Sequence, residues 1–142
     1  MRIWRSFSLL CAASSAMADH TWDNRDIDAG QNLYAQHCAA CHGANLEGQP
    51  DWQSPNEDGA LPAPPHDATG HTWHHDDALL FEYTKDGGAA ALDVRGVTGF
   101  NSRMPGFEGT LTDSQIWDIL AYIRSTWSTR ERDVQASRNP PH

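Results

Sequence analysis

Apolar residues recur at three- and four-residue spacing in three separate stretches of the chain. In the most regular one, Ile116, Ile119, Leu120, Ile123 and Trp127 fall on one face, the period of an amphipathic helix. Thr112 stands before it as an N-cap with Gln115 three residues on, the two ends of a capping box, and Leu111 is placed to staple onto Ile116. Asp113 suits the partial positive charge of the first turn, and Arg124 the partial negative charge of the last. A second helix is expected from Asp28, an N-cap with Gln31 three residues later, through Leu33, Tyr34, His37 and Cys38. A shorter one, over about 75–85, presents Leu79, Leu80 and Tyr83, and Gly87 follows where a glycine closes a helix.

Between these helices the pattern is lost. Residues 43–70 hold Pro50, Pro55, Pro62, Pro64 and Pro65 among Gly, Asn and Asp, which excludes long regular structure and predicts a long loop. A loop of that length in a small domain has a task, and wrapping a prosthetic group is one. The stretch 88–109 is glycine-rich and expected to be irregular, with Met104-Pro105-Gly106-Phe107 near its end. Residues 19–27 form a polar arm without periodicity, and 128–142 a polar tail expected to fray. With no internal repeat, the pattern predicts one all-α domain over 28–127.

Composition and charge narrow the setting. Arg2 and Arg5 precede the apolar run Phe7 to Ala13, and Ala16-Met17-Ala18 supplies small residues at a cleavage point, so residues 1–18 read as a secretory signal peptide. The run is short of the roughly 20 residues that span a bilayer, and Leu10 is bulky where lipidation at Cys11 prefers a small residue. No stable membrane insertion is expected after cleavage. Removal of the leader takes Arg2 and Arg5 from the 10 basic residues while leaving all 19 acidic ones, so the net charge moves from −9 to −11. Nucleic acid, which needs clustered cations, is thereby excluded as a partner. A protein with a basic docking surface fits, and its association should weaken with salt.

Of the three cysteines only Cys38 and Cys41 survive that cleavage, in the run Cys38-Ala39-Ala40-Cys41-His42. Two thiols at this spacing can each form a thioether with one haem vinyl group while the following imidazole lies under the iron. Half of a zinc site or a thiol redox pair are the other readings of Cys-x-x-Cys. The first lacks further cysteine ligands, and the second lacks the alternating strands of its fold. One haem c attached through Cys38 and Cys41, with His42 as axial ligand, is the expectation. Met104 is the sole methionine beyond the leader and stands in a loop before Pro105, off any apolar helical face, so it is the candidate sixth ligand. His66, His71, His74 and His75 are the alternatives, and the same histidines are candidates for a second metal site.

These residues resemble the class I (mitochondrial-type) cytochromes c, especially small bacterial single-haem proteins. The resemblance covers about 28–127 and rests on Gly30 and Tyr34, Cys38-Ala39-Ala40-Cys41-His42-Gly43, Met104-Pro105, and Ile119-Leu120-Ala121-Tyr122-Ile123. It implies the class I fold, three or more helices wrapped around one covalently bound haem c with long irregular loops. It implies that the first and last helices cross at Gly30 against Tyr34, Ile119 and Tyr122. It also implies that a proline carbonyl in Ala63-Pro64-Pro65, from Pro64 or Pro65, meets the far nitrogen of His42. The long loop around Trp52 and the Trp73-His74-His75 stretch depart from familiar members, which leaves Trp52, Trp73, Arg95 and Asn101 only as candidates for propionate contacts.

The function so implied is a single-electron carrier, not an enzyme, periplasmic or otherwise exported. It would serve redox protein partners either as a monomer or as a subunit of a larger dehydrogenase or oxidase complex. The rival from another class is a haem enzyme or gas sensor with a displaceable methionine.

Overall fold

The computed structural model describes residues 21–140, and the leader expected over 1–18 lies outside them. Among the described residues there are six α-helices and no strand: α1 (Ile27–His37), α2 (Ala39–His42), α3 (Asp77–Asp86), α4 (Gly88–Asp93), α5 (Asp113–Ser125) and α6 (Thr129–Ala136), with one 3-10 turn at Thr72–His74. The architecture is the expected all-α one. No described helix is long and apolar enough to cross a membrane.

Its centre is the crossing of α1 and α5. Tyr34, Ile116, Ile119, Leu120 and Ile123 are buried together with Cys38, Leu46, Trp73, Leu80, Leu111 and Trp127 in one cluster. Each fully buried aliphatic side chain there is worth about 1.5–3 kcal/mol. A Cβ on Gly30 would lie 2.0 Å from the Asp118 carbonyl oxygen, so the two backbones touch at the one position where α1 has no side chain. The Tyr34 and Tyr122 rings meet beside it at 5.5 Å. Thr112 and Gln115 form the capping box of α5, and Leu111 and Ile116 both enter the core as the staple requires.

Several boundaries differ from the sequence pattern. Helix α1 begins earlier than expected, because Asp26 rather than Asp28 is the N-cap and accepts the amide of Ala29, leaving Asp28 in the first turn. The choice is tertiary: the Asp26 amide itself donates to the Asp118 carboxylate on α5 at 3.3 Å. The arm ahead of it is packed. Trp22 meets Trp117 edge-on at 5.4 Å and donates to the Asp77 carboxylate, and the Arg124 guanidinium lies over its ring.

The stretch 88–109 is not wholly irregular, since α4 forms over its first six residues. The described part of the tail, 128–140, is not irregular throughout. It forms α6, held by a Ser128–Glu131 capping box and by Gln135, whose side chain is fully buried and bonds the Asp77 carboxylate and, at 3.4 Å, the His75 carbonyl. Hydrogen bonds to buried backbone and carboxylate substitute here for the apolar stripe that the tail lacks.

Gly30→Ala should cost about 1–3 kcal/mol of stability, the range for an overfilled interface, despite the ~1 kcal/mol by which alanine is the better helix former. A lowered guanidinium midpoint of the haem-loaded protein checks this.

Candidate functional site

Helix α1 ends at Cys38, where φ is drawn out to −117 within the right-handed region, and the chain continues as the single turn α2 that carries Cys41 and His42. Gly43 ends it with φ +84, a value that suits glycine, and the Tyr34 hydroxyl donates to the Gly43 carbonyl at 2.9 Å. The motif is thereby fixed to the buried face of α1. Cys38 is buried and Cys41 exposed, and both are free thiols. Burial, and secondarily the neighbouring Cys41, push the Cys38 thiol up to about 11.

His42 is buried, and its Nδ1 lies 2.8 Å from the Pro64 carbonyl oxygen. A carbonyl only accepts, so Nδ1 carries the proton and Nε2 keeps its lone pair. Burial pushes the imidazole below its ordinary range, against the smaller opposing effect of the Pro64 bond, and so favours the neutral, metal-binding form. Of the two prolines, Pro64 supplies the carbonyl. The Pro65 carbonyl instead accepts the Thr72 hydroxyl at 3.4 Å. The pair is set by close backbone contacts: a Cβ on Gly48 would lie 2.4 Å from the Pro65 nitrogen, and one on Gly70 2.0 Å from the Pro65 oxygen.

Met104 is half-buried in the loop before α5. Its amide donates to Ser102 Oγ at 3.2 Å and its carbonyl accepts the Gly88 amide at 3.2 Å. The next residues dock on the end of α3, where the amides of Phe107 and Glu108 donate to the carbonyls of Thr84 and Lys85. Those carbonyls are among the last of α3, which have no partner within their own helix. The loop is also tied across to the long 43–70 segment. Arg103 pairs with the Asp58 carboxylate, its Nε at 3.2 Å, and the Asn101 amide donates to the Asp58 carbonyl at 2.8 Å.

The histidine-rich stretch does not converge. His71 stacks on Trp52 at 5.1 Å and meets His75 edge-on, while His74 lies over Trp73. Among the described residues no group of three or more His, Cys, Asp or Glu side chains is arranged to hold a metal ion. His66 stands elsewhere, stacked on the His42 ring at 4.1 Å. It therefore lies beside His42 rather than opposite it, a placement that no periodicity or spacing could signal. Arg95 and Asn101 have protein partners, Arg95 on the Ala91 carbonyl and on Glu82.

A haem fits this donor set. Two free thiols precede, within five residues, a neutral imidazole with one available lone pair. In addition, the Trp73 indole nitrogen is the one buried side-chain polar atom among the described residues without a hydrogen-bond partner. Such a buried N–H calls for an acceptor, and a haem propionate is one.

The family model for "Cytochrome c" matches residues 27–127. The chain is 29% identical over 102 residues to the Cbb3-type cytochrome c oxidase subunit FixP of Bradyrhizobium sp. (strain ORS 278), covering 70% of this chain and 27% of that protein. It is 28% identical over 98 residues to cytochrome c6 of Synechocystis sp., covering 69% of this chain and 63% of that protein. The chain thus spans about a quarter of the first relative and under two thirds of the second. No solved structure matches. Proteins of the matched family hold haem c through Cys-x-x-Cys, the spacing at which Cys38 and Cys41 stand.

Replacing both, Cys38→Ala with Cys41→Ala, should release the haem into acidified organic solvent, whereas in the parent protein it should stay with the chain on a denaturing gel.

Proposed function

The chain belongs to the cytochrome c family, whose members transfer electrons and bind haem c, and on that premise we propose a single-electron carrier with its iron held between His42 and Met104. The observation that carries the reading is the His42–Pro64 bond, which fixes the tautomer and leaves Nε2 as the ligating nitrogen. When bound, haem c supplies a one-electron couple between ferrous and ferric iron.

Each residue has a separable part. Cys38 and Cys41 hold the group covalently, one thiol in the core and one at the surface. His42 donates through a nitrogen made more basic by the Pro64 carbonyl on the other side of its ring. Met104 supplies an uncharged thioether, which favours the reduced state and raises the potential. Its loop is anchored to α3 and to Asp58, which supports its retention as a ligand. Held by both His42 and Met104, the iron would have no position left for a small molecule. That supports a carrier over a haem enzyme or gas sensor.

The acidic surface, −9 over the chain, favours redox partners with a basic docking face. Arg2, Arg5 and the apolar run after them support export to the periplasm. A second reading, an electron-transfer subunit within a larger oxidase, is favoured by the likeness to FixP, whose name places it in a Cbb3-type cytochrome c oxidase.

Met104→Ala should abolish the methionine-to-iron charge-transfer band of the ferric protein and let carbon monoxide bind the ferrous protein. It should also lower the potential by on the order of 0.1 V, within the roughly 0.8 V over which axial ligands tune haem. A parent protein without that band, or one that binds carbon monoxide rapidly at neutral pH, would remove Met104 from the iron and the carrier reading with it.

A further inference from the structure

We propose that His66 is a positioning residue for the axial imidazole, its ring stacked on His42 so as to fix the plane in which His42 meets the metal. This rests on the reading of His42 as axial ligand. The two rings lie 4.1 Å apart between centroids and 23° from parallel. The Pro64 carbonyl bonds Nδ1 at 2.8 Å, but a hydrogen bond to a carbonyl tolerates a broad range of directions. It therefore holds the nitrogen in place while leaving the ring free to rock. A flat ring against one face removes that freedom, because rocking toward it meets van der Waals repulsion.

His66 is fitted to this part by the way it is itself held. Its amide donates to the Leu46 carbonyl at 2.8 Å. Its carbonyl accepts the Trp127 indole N–H at 2.7 Å. Its Nδ1 lies 2.8 Å from Thr72 Oγ1. The Thr72 hydroxyl donates to the Pro65 carbonyl at 3.4 Å, so its lone pair accepts from His66 and Nδ1 of His66 carries the proton. Tyr34 closes the edge of the His66 ring at 6.2 Å. Backbone and side chain are thus anchored to the 43–70 loop, the 3-10 turn, α1 and Trp127, two residues past the end of α5. Leu46 is part of this anchoring: it is a buried leucine with φ +68, in the left-handed region that non-glycine residues avoid. Its carbonyl receives the amides of both His66 and Asp67, and those bonds offset the strain.

The orientation of an axial imidazole plane splits the iron d orbitals, so it is read in the g values of the ferric protein and in the spread of its haem methyl proton shifts. A residue that merely supported the fold would move neither. In the haem-loaded protein, His66→Ala should shift the largest g value and change the methyl spread, while His66→Phe, which keeps a flat ring and loses the Thr72 bond, should return both toward the parent. Parent values in His66→Ala, or a shift in His66→Phe as large as in His66→Ala, overturns the proposal. Where His66→Ala does not fold, His66→Leu, which keeps bulk without a flat ring, takes its place with the same outcomes. Hyperfine-shifted histidine ring protons in the parent protein separate the two levels of the argument. Their absence overturns His42 as ligand and the present inference together. Their presence with unmoved g values in the variants overturns the role of His66 alone.

Discussion

The backbone contact between α1 and α5 governs this molecule, because it sets where the Cys38–His42 turn points. Two helices approach so closely at Gly30 that a methyl group would enter the Asp118 carbonyl. That closeness lets Tyr34 reach the core and bond the carbonyl of Gly43 at the end of the motif. The cysteines and His42 are thus referenced to α5 through one helical turn and one phenol, not through the loops on either side. Ile116, Ile119 and Ile123 then supply the apolar area that stabilises the crossing.

Around that reference the site is assembled from irregular chain that has few apolar residues of its own. Its order comes from backbone hydrogen bonds made across the fold. The carbonyls at the end of α3 are satisfied by the amides of Phe107 and Glu108, so one set of bonds both ends a helix and seats the Met104 loop. The Pro64–Pro65 pair lies against Gly48 and Gly70, and its Pro64 carbonyl meets the His42 ring. Absence of side chains at those glycines is what allows the proline carbonyl to reach an imidazole from a separate loop.

What could be read from the residues was mostly local. The α5 capping box lies within four consecutive positions, Cys38-Ala39-Ala40-Cys41-His42 within five, and the glycine closing α3 adjoins its helix. What escaped depends on partners distant in the chain. Asp26 and Asp28 are equally good caps by type, and the amide bond from Asp26 to Asp118 decides between them. Helix α6 has no apolar stripe, and its order comes from Gln135 reaching His75 and Asp77. A signal is present there, since Ser128 and Glu131 stand at capping-box spacing, though no apolar periodicity follows them. Pro64 and Pro65 could not be told apart because adjacent carbonyls point to opposite sides of an extended chain. The contact of His66 with His42 joins two segments that no pattern along the chain relates.

The bond between Asp58 and Arg103 gives the rim of the site a property that its core lacks. Both side chains are about half exposed, at 49% and 60%, and they join the long loop to the chain just ahead of Met104. At a Debye length of about 8 Å in physiological salt, dissolved ions weaken such an exposed pair. The apolar contacts at Gly30 and Tyr34 feel no such effect. Ionic strength therefore weakens the charged part of this tie, while the neutral bond from Asn101 to the Asp58 carbonyl stays. The two loops are thus joined by one link that salt screens and one that it does not.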